Sequence, residues 1–250
     1  MAKPPINPMK IAVFTGAGIS APSGLGTFRD KDGLWTRYRL EDVATPEAWS
    51  RQPEVVLNFY NERRAKAADA IPNEAHYSIA ALEKRFEVVV ITQNVDALHE
   101  RAGSSRVIHL HGELTKARST VDASLVYEIG GAPIRVGDLC DKGSQLRPHI
   151  VWFGEEIQRY RESSEEILSA GKFLVVGTSL SVFPAAGLLK SARHAAEKVL
   201  VDLEPDKRPY GFKVMRGSAD TVLPSIVEKW LKETGSPTMP SSESSETLDR

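Results

Sequence analysis

Residues 11–21 confine this chain to a narrow set of folds. Ile11-Ala12-Val13-Phe14 is an apolar run short enough for a buried parallel strand, and Gly16, Gly18 and Ala21 follow at once in the spacing G-x-G-x-x-A. A strand running straight into such a turn is the context of a phosphate-binding turn. Gly16 supplies the tight turn, Gly18 lets the backbone approach a pyrophosphate, and Ala21 packs where the next helix begins. Pro22-Ser23-Gly24-Leu25-Gly26 cannot extend a regular helix, so residues 21–35 read as a flap that sets Phe28, Arg29 and Asp30 beside the phosphates.

The same alternation recurs along the chain. Residues 86–92, 107–111, 150–153, 173–176 and 198–201 read as strands, and residues 163–170, 185–196 and 223–232 as helices. This predicts a doubly wound, Rossmann-like α/β fold with a parallel sheet, whose ligand lies at the carboxyl ends of the strands. Polar groups do end those strands: Gln93-Asn94-Val95-Asp96, then Gly177-Thr178-Ser179, then Asp202-Leu203-Glu204. Read alone, Asn94 or Asp96 is a helix cap; an acid such as Asp202 suits ribose hydroxyls. Thr45-Pro46-Glu47 and Gln52-Pro53-Glu54 are helix starts inside a polar insertion. There Val56, Tyr60 and either Arg63 or Arg64 share one helix face, and spacing does not choose between the arginines.

Composition excludes several function classes. With 250 residues the chain buries a sizeable core, and a net charge of −1 offers no general field for nucleic acid. The single cysteine, Cys140, forms no internal disulfide and fits a reducing compartment. The longest apolar runs, such as residues 88–91 and 173–176, are too short for a bilayer, and residues 1–10 lack a signal-peptide core. The expectation is a cytoplasmic protein with no membrane and no direct nucleic-acid partner; oligomeric state is not legible.

Taken together, Gly-Ala-Gly-Ile-Ser-Ala-Pro-Ser-Gly at 16–24, Thr-Phe-Arg at 27–29 and Gly-Leu-Trp at 33–35 resemble the cofactor loop of the sirtuins, the NAD-consuming protein lysine deacylases. Thr-Gln-Asn-Val-Asp with Leu-His, His-Gly at 111–112, Leu-Arg-Pro-His-Ile-Val-Trp-Phe-Gly-Glu at 146–155 and Gly-Thr-Ser-Leu at 177–180 follow in the family's order. The resemblance implies NAD as cofactor and acyl-lysine proteins or peptides as substrates. It assigns Gly16, Ala17, Gly18, Ser20, Ala21, Thr27, Phe28, Arg29, Trp35, Gly177, Thr178, Ser179, Asp202, Leu203 and Glu204 to the cofactor. Ala219 backs the adenine, Asp96 meets the nicotinamide carboxamide, and Gln93 and Asn94 meet the ribose and its water. His111 is the implied general base, with Asn94 as its catalytic companion, and His109 is structural. Val151, Phe153 and Gly154 on one side, Ser181 and Val182 on the other, hold the peptide as an added strand.

Two details refine that reading. Read bare, Tyr60 is a packing residue and the arginines a solvated face; family members preferring succinyl or malonyl groups carry Tyr-x-x-Arg here, matched by Tyr60 and Arg63, with a small upstream residue matched by Ala44. Most sirtuins also bind structural zinc through two Cys-x-x-Cys pairs. Here Ser119 stands at the first cysteine and only Cys140 remains of the second pair, so no metal is expected. Val121, Leu125, Val126, Tyr127, Ile129, Ile134, Val136 and Leu139 are expected to form an apolar cluster in its stead. The catalytic domain is read as 8–234, with small-lobe insertions at about 31–75 and 114–147, and residues 235–250 as a disordered tail. The rival functions are an NAD hydrolase or ADP-ribosyltransferase, and a non-catalytic NAD or ADP-ribose sensor.

Overall fold

The strand that opens the chain becomes the centre of the sheet because both of its faces are apolar. In the computed structural model, which describes residues 5–27, 38–205 and 208–233, β1 (Asn7–Thr15) pairs in parallel with β2 (Glu87–Thr92) on one side and β7 (Ala170–Val176) on the other. Val13 lies opposite Val90 and Leu174. With β3 (Val107–His109), β8 (Glu197–Asp202) and β9 (Lys213–Arg216), the order is β3-β2-β1-β7-β8-β9, all parallel. The chain winds outward in one direction from β1 and in the other from β7. The crevice between their carboxyl ends is therefore the switch point at which such sheets bind ligands.

Alternate residues of β1 feed two cores, as the strand period demands. Ile11 and Val13 pack with Ile79 of α2 (Glu74–Ala81) and with Leu223, Val227 and Trp230 of α4 (Ala219–Lys232). Ala12 and Phe14 pack with Ile167 of α3 (Tyr160–Leu168) and with Leu188 and Ala192 of the 3-10 segment Ala185–His194.

The second lobe is a three-stranded antiparallel sheet, β5-β4-β6, made by β4 (Gly112–Ser119), β5 (Val126–Glu128) and β6 (Leu146–Ile150). Against it lies α1 (Pro53–Asp69), burying Leu57, Phe59 and Tyr60 on Leu114, Ala117 and Ile150. Thr45 caps the short helix Pro46–Arg51 through Ala48 N–H at 3.1 Å.

Several elements differ from their sequence patterns. The strand expected at 150–153 ends at Ile150, because the N–H groups of Val151 and Phe153 go to the carbonyls of His111 and Ala44 rather than to one neighbouring strand. The strand expected at 107–111 stops at His109. Ala170 belongs to β7 rather than to the preceding helix, and α4 begins four residues early, at Ala219. Edge strand β9 was not expected: Lys-Val-Met-Arg is too short to signal a strand without its partner β8.

The apolar cluster expected in the ribbon does not form. Of its eight residues Ile134 is buried, whereas Val121, Val136 and Leu139 are 67%, 58% and 57% exposed. Hydrogen bonds hold the segment instead. Asn61 pairs with both the carbonyl (2.8 Å) and the N–H (2.9 Å) of Ile134. Gln145 donates to Arg135 O and accepts Gly137 N–H. The region borrows its order from α1 through polar contacts, which the apolar pattern could not signal. Residues 235–250 lie outside the described residues.

The start of α2 pins the glycine-containing loop after β1. Asn73 Oδ1 accepts Ala75 N–H and His76 Nδ1 accepts Asn73 N–H, while Asn73 Nδ2 reaches Ile19 O (2.8 Å) and Ser23 Oγ (2.9 Å). The His76 ring is buried edge-on to His99 at 4.9 Å. Burial pushes its pKa from 6.5 down to about 4, a shift worth on the order of 3 kcal/mol. The unfolded chain takes up a proton near pH 6.5 that the folded chain refuses until about pH 4, so stability falls as pH falls through that window. Gln suits the N3 position of a capping box, so His76→Gln keeps the cap and removes the titration. Denaturant unfolding at pH 7 and pH 5 should show a smaller loss of stability in the variant than in the parent; equal losses would remove His76 from this role.

Candidate active site

The site begins where two backbones touch. Gly18 N–H donates to Gly177 O at 2.9 Å, and Gly16 N–H to Val176 O at 3.0 Å. A Cβ on Gly16 would lie 2.8 Å from Gly177 O, one on Gly18 would lie 2.7 Å from Gly177 Cα, and one on Gly177 would lie 2.4 Å from Ile19 N. Gly177 also has φ of 60°, in the left-handed region that suits glycine. The loops after β1 and β7 thus interlock through three glycines. Gly18 is required by this crossing as well as by any approaching phosphate. Ala17 opens a 3-10 turn, Ala17–Ile19, and Ala21 the next, Ala21–Ser23.

Polar side chains from the loop after β2 close the crevice floor. Asn94 Nδ2 donates to Ser20 Oγ (3.1 Å) and Gly16 O (3.3 Å), and Ser20 Oγ donates to Asp96 Oδ2 (3.2 Å). Asp96 Oδ1 also accepts Leu98 N–H at 3.1 Å, so the capping role visible in the sequence coexists with the contact to Ser20. Burial raises the Asp96 pKa, against the pull of those hydrogen bonds. Gln93 Nε2 reaches Thr178 Oγ1 at 3.0 Å, tying the loop after β2 to the loop after β7.

The two histidines differ in what their rings can do. His111 Nδ1 lies 3.0 Å from Gln93 O; a carbonyl only accepts, so the proton sits on Nδ1 and the Nε2 lone pair stays available. Burial lowers the His111 pKa, partly offset by that carbonyl. His109 places Nδ1 on Asn94 O (3.0 Å) and Nε2 on Glu100 Oε1 (2.7 Å). Burial works against its charge, but Glu100 and the carbonyl hold its pKa above the ordinary value. Both nitrogens are committed, leaving His109 no lone pair for chemistry.

Residues 151–153 join this histidine to the second lobe. Val151 N–H donates to His111 O at 2.9 Å and Phe153 N–H to Ala44 O at 3.0 Å. Gly154 follows with φ of 92°, turning the chain away. Phe153 is 46% exposed, and Trp152 points inward, its Nε1 donating to Tyr60 Oη at 3.1 Å. Ala44, Tyr60 and Trp152 belong to one buried cluster. The Arg63 guanidinium lies 5.6 Å from the Phe59 ring centre and 5.8 Å from that of Tyr60. Burial lowers its pKa, while Tyr60 and Asp96 act to raise it. Arg64 turns the other way, with Nε on Leu114 O at 2.5 Å and Nη1 on Asn61 Oδ1 at 2.6 Å. The choice that helix spacing left open is thereby made: Arg64 braces the lobe, and Arg63 flanks Tyr60.

The remaining candidates take outer positions. Asp202 ends β8, and its Oδ1 accepts Glu204 N–H at 2.9 Å, with Leu203 and Glu204 exposed beside it. Ala219 is buried in the cluster that contains Ile19. Ser181 donates to Ser179 O at 3.3 Å, and the Val182 carbonyl accepts Ala186 N–H. Thr27 closes the first described segment; Phe28, Arg29 and Trp35 lie outside the described residues. Sequence reasoning missed the bond from Trp152 to Tyr60, and the Arg118-Glu155-Arg147 cluster behind it, in which Glu155 takes both guanidinium groups and Trp152 N–H. An aromatic followed three residues later by an acid was the one available signal.

The ribbon positions do not fit a metal. Ser119 Oγ accepts Val121 and Asp122 N–H at 3.1 and 3.2 Å, and the Ser119 hydroxyl beside the Cys140 thiol lowers that thiol's pKa. Asp122 is taken by Lys142 Nζ at 2.8 Å. One thiol beside a hydroxyl and an ammonium is not a zinc donor set, and no group of three or more metal-ligating side chains occurs among the described residues.

A family model described as Sir2 family matches residues 16–184. A protein of Bacteroides thetaiotaomicron named NAD-dependent protein deacylase is 49% identical over 200 residues, covering 78% of this chain and 86% of the relative. A solved Sir2 homologue mutant in complex with ADP-ribose superposes with a TM-score of 0.83 at 39% identity, over 90% of this chain and 95% of the other. A Sir2 homologue–NAD complex gives 0.79 at 40% identity, over 89% and 90%.

The ring geometries make a direct prediction for nitrogen-resolved NMR of the imidazoles. His111 should titrate below pH 6.5 with its proton on Nδ1 at pH 7. His109 should titrate above 6.5. The reverse order would contradict the assignment of the available lone pair to His111.

Proposed function

The chain belongs to the Sir2 family, and we propose from its site that it is an NAD-dependent protein-lysine deacylase removing succinyl and malonyl as well as acetyl groups, without structural zinc. The observation that carries the reading is the placement of His111. Its Nε2 lone pair is available at the carboxyl end of the sheet, beside the loop after β2, and its own carbonyl anchors the 151–153 segment proposed to receive acyl-lysine.

The residues present fit the cofactor. The glycine crossing leaves no side chain over the loop backbone, and Ser20, Asn94 and Asp96 converge on one polar floor. Gly16, Ala17, Gly18, Ser20 and Ala21 would hold it from one loop and Gly177, Thr178 and Ser179 from the other, with Asp202 to Glu204 and Ala219 toward the adenosine. When bound, NAD supplies the electrophilic ribose carbon that takes up the acyl oxygen as nicotinamide departs. His111 Nε2 accepts the ribose hydroxyl proton, its lowered pKa keeping it unprotonated near neutrality. Asn94, bonded to Ser20 and Gly16, orients the polar groups around it. Val151 and Phe153 line the acyl-lysine channel, with Ser181 and Val182 opposite.

Acidic acyl selectivity is assigned to Tyr60 and Arg63. Burial pushes the Tyr60 pKa up to about 12, so the phenol keeps its proton and remains a donor. Arg63 adds a permanent cation, and the small Ala44 packs in the same cluster as Tyr60. The polar knot of Ser119, Asp122, Cys140 and Lys142 stands in for the zinc as a brace of the ribbon. Substrates are acyl-lysine proteins, and the single cysteine suits a cytoplasmic setting.

Turnover of purified protein with NAD on matched acetyl-lysine and succinyl-lysine peptides tests this reading. Arg63→Met should reduce kcat/KM for the succinyl peptide by about 10- to 100-fold, the worth of a charged hydrogen bond, and change the acetyl value by less than about threefold. Equal losses on both peptides would make Arg63 a structural residue. His111→Ala should abolish turnover of either peptide, and the parent's acid limb should lie below pH 6.5. A strong chelator should leave rate and melting temperature unchanged; loss of either would restore zinc to the account.

A further inference from the structure

Tyr60 is 1% exposed and Trp152 2%. A phenol oxygen can accept and also donate, yet among the described residues the hydrogen bond found for Tyr60 is the one it accepts, from Trp152 Nε1 at 3.1 Å. Its own proton has no acceptor there. A buried donor left unpaired costs about 1–3 kcal/mol, a cost removed when an acceptor arrives.

Trp152 is held unusually firmly for a residue outside any strand. The Arg147 guanidinium lies 3.3 Å from its ring centre, and Trp49 packs at 5.8 Å. Glu155 Oε2 accepts the Trp152 backbone N–H at 2.8 Å, and the same carboxylate takes Arg147 at 2.6 Å and Arg118 at 3.1 Å. On either side, Val151 and Phe153 are tied to His111 and Ala44. The indole N–H therefore has one fixed direction.

We propose that Trp152 is a specificity-determining positioning residue. By donating to the Tyr60 oxygen it turns the phenol proton away from itself, toward the space flanked by Arg63, where a carboxylate on the acyl chain accepts it. The inference rests on the reading that Tyr60 and Arg63 receive that carboxylate. Two effects combine: the hydroxyl rotor is set before substrate binds, and an oxygen that accepts a hydrogen bond becomes a stronger donor. Neither acts on an acetyl group, which presents no acceptor there. The residue thus governs acidic acyl chains alone.

Trp152→Phe removes the N–H and keeps an aromatic ring under Arg147. Benzothienylalanine at the same position keeps the indole outline and lacks only the N–H, covering the case in which the Phe variant fails to fold. Steady-state kinetics on the two matched peptides should show kcat/KM for succinyl-lysine falling about fivefold, within the range for one hydrogen bond, chiefly through KM. The readout is the succinyl-to-acetyl ratio of kcat/KM, which should fall by about the same factor. In a Tyr60→Phe background the same change should have no further effect on the succinyl peptide. Equal losses on both peptides, or an undiminished loss without the Tyr60 hydroxyl, would overturn the proposal. If Tyr60→Phe lowers the succinyl-to-acetyl ratio and Trp152→Phe does not, this inference falls and the carboxylate site stands. If Tyr60→Phe leaves the ratio untouched, the carboxylate site itself falls, and this inference with it.

Discussion

Everything in the site is placed by the contact between the loops after β1 and β7, in which Gly16, Gly18 and Gly177 meet backbone to backbone. The closest of these approaches would put a Cβ 2.4 Å from a main-chain nitrogen, so no side chain fits, and two N–H groups are satisfied across the gap. From that fixed point the polar floor follows. Gln93 bridges to Thr178, Asn94 to Gly16 and Ser20, and Ser20 to Asp96. Three elements far apart in sequence are thus held to within a hydrogen bond of one another. Such a floor needs no rearrangement to present its donors and acceptors.

The second lobe is coupled to this floor by residues 151–153. Their N–H groups run to His111 on one side and Ala44 on the other, so the proposed base and the proposed acyl pocket share a single strip of backbone. Behind the strip, Glu155 gathers Arg118, Arg147 and Trp152 N–H. The two arginines of that cluster are buried and Glu155 is half-buried, and the cluster's worth lies in direction more than in stability: removing one partner would release the strip, whereas the net energy of such a charge group is modest. The ribbon beyond it shows the same economy. Asp122 pairs with Lys142, and Ser119 Oγ accepts the N–H groups of Val121 and Asp122.

The sequence made the parallel sheet legible because β1, β2 and β7 are continuous apolar runs at the length of a strand, and because the glycines follow the first of them without a gap. The loop residues at 93–96 and 177–179 were legible for the same reason: they are polar groups where a run ends. What was hidden depends on partners distant in sequence. Edge strand β9 has no apolar signature of its own and exists by pairing with β8. Residues 151–153 look like a strand, and only the carbonyls of His111 and Ala44 make them a bridge. The ribbon's eight apolar residues suggested a core, but too few neighbours surround them, and Asn61 and Gln145 carry the order instead. Arg63 and Arg64 were indistinguishable by periodicity; the Leu114 carbonyl decides between them.

The central claim is that the crevice joins NAD cleavage to removal of an acyl group from lysine, and mass analysis of the nucleotide product tests it most directly. With NAD and an acyl-lysine peptide, the account predicts one acyl-ADP-ribose and one nicotinamide for each lysine freed, and no nicotinamide release when the peptide is omitted. Nicotinamide released at the same rate without peptide, with unacylated ADP-ribose as the product, would contradict it.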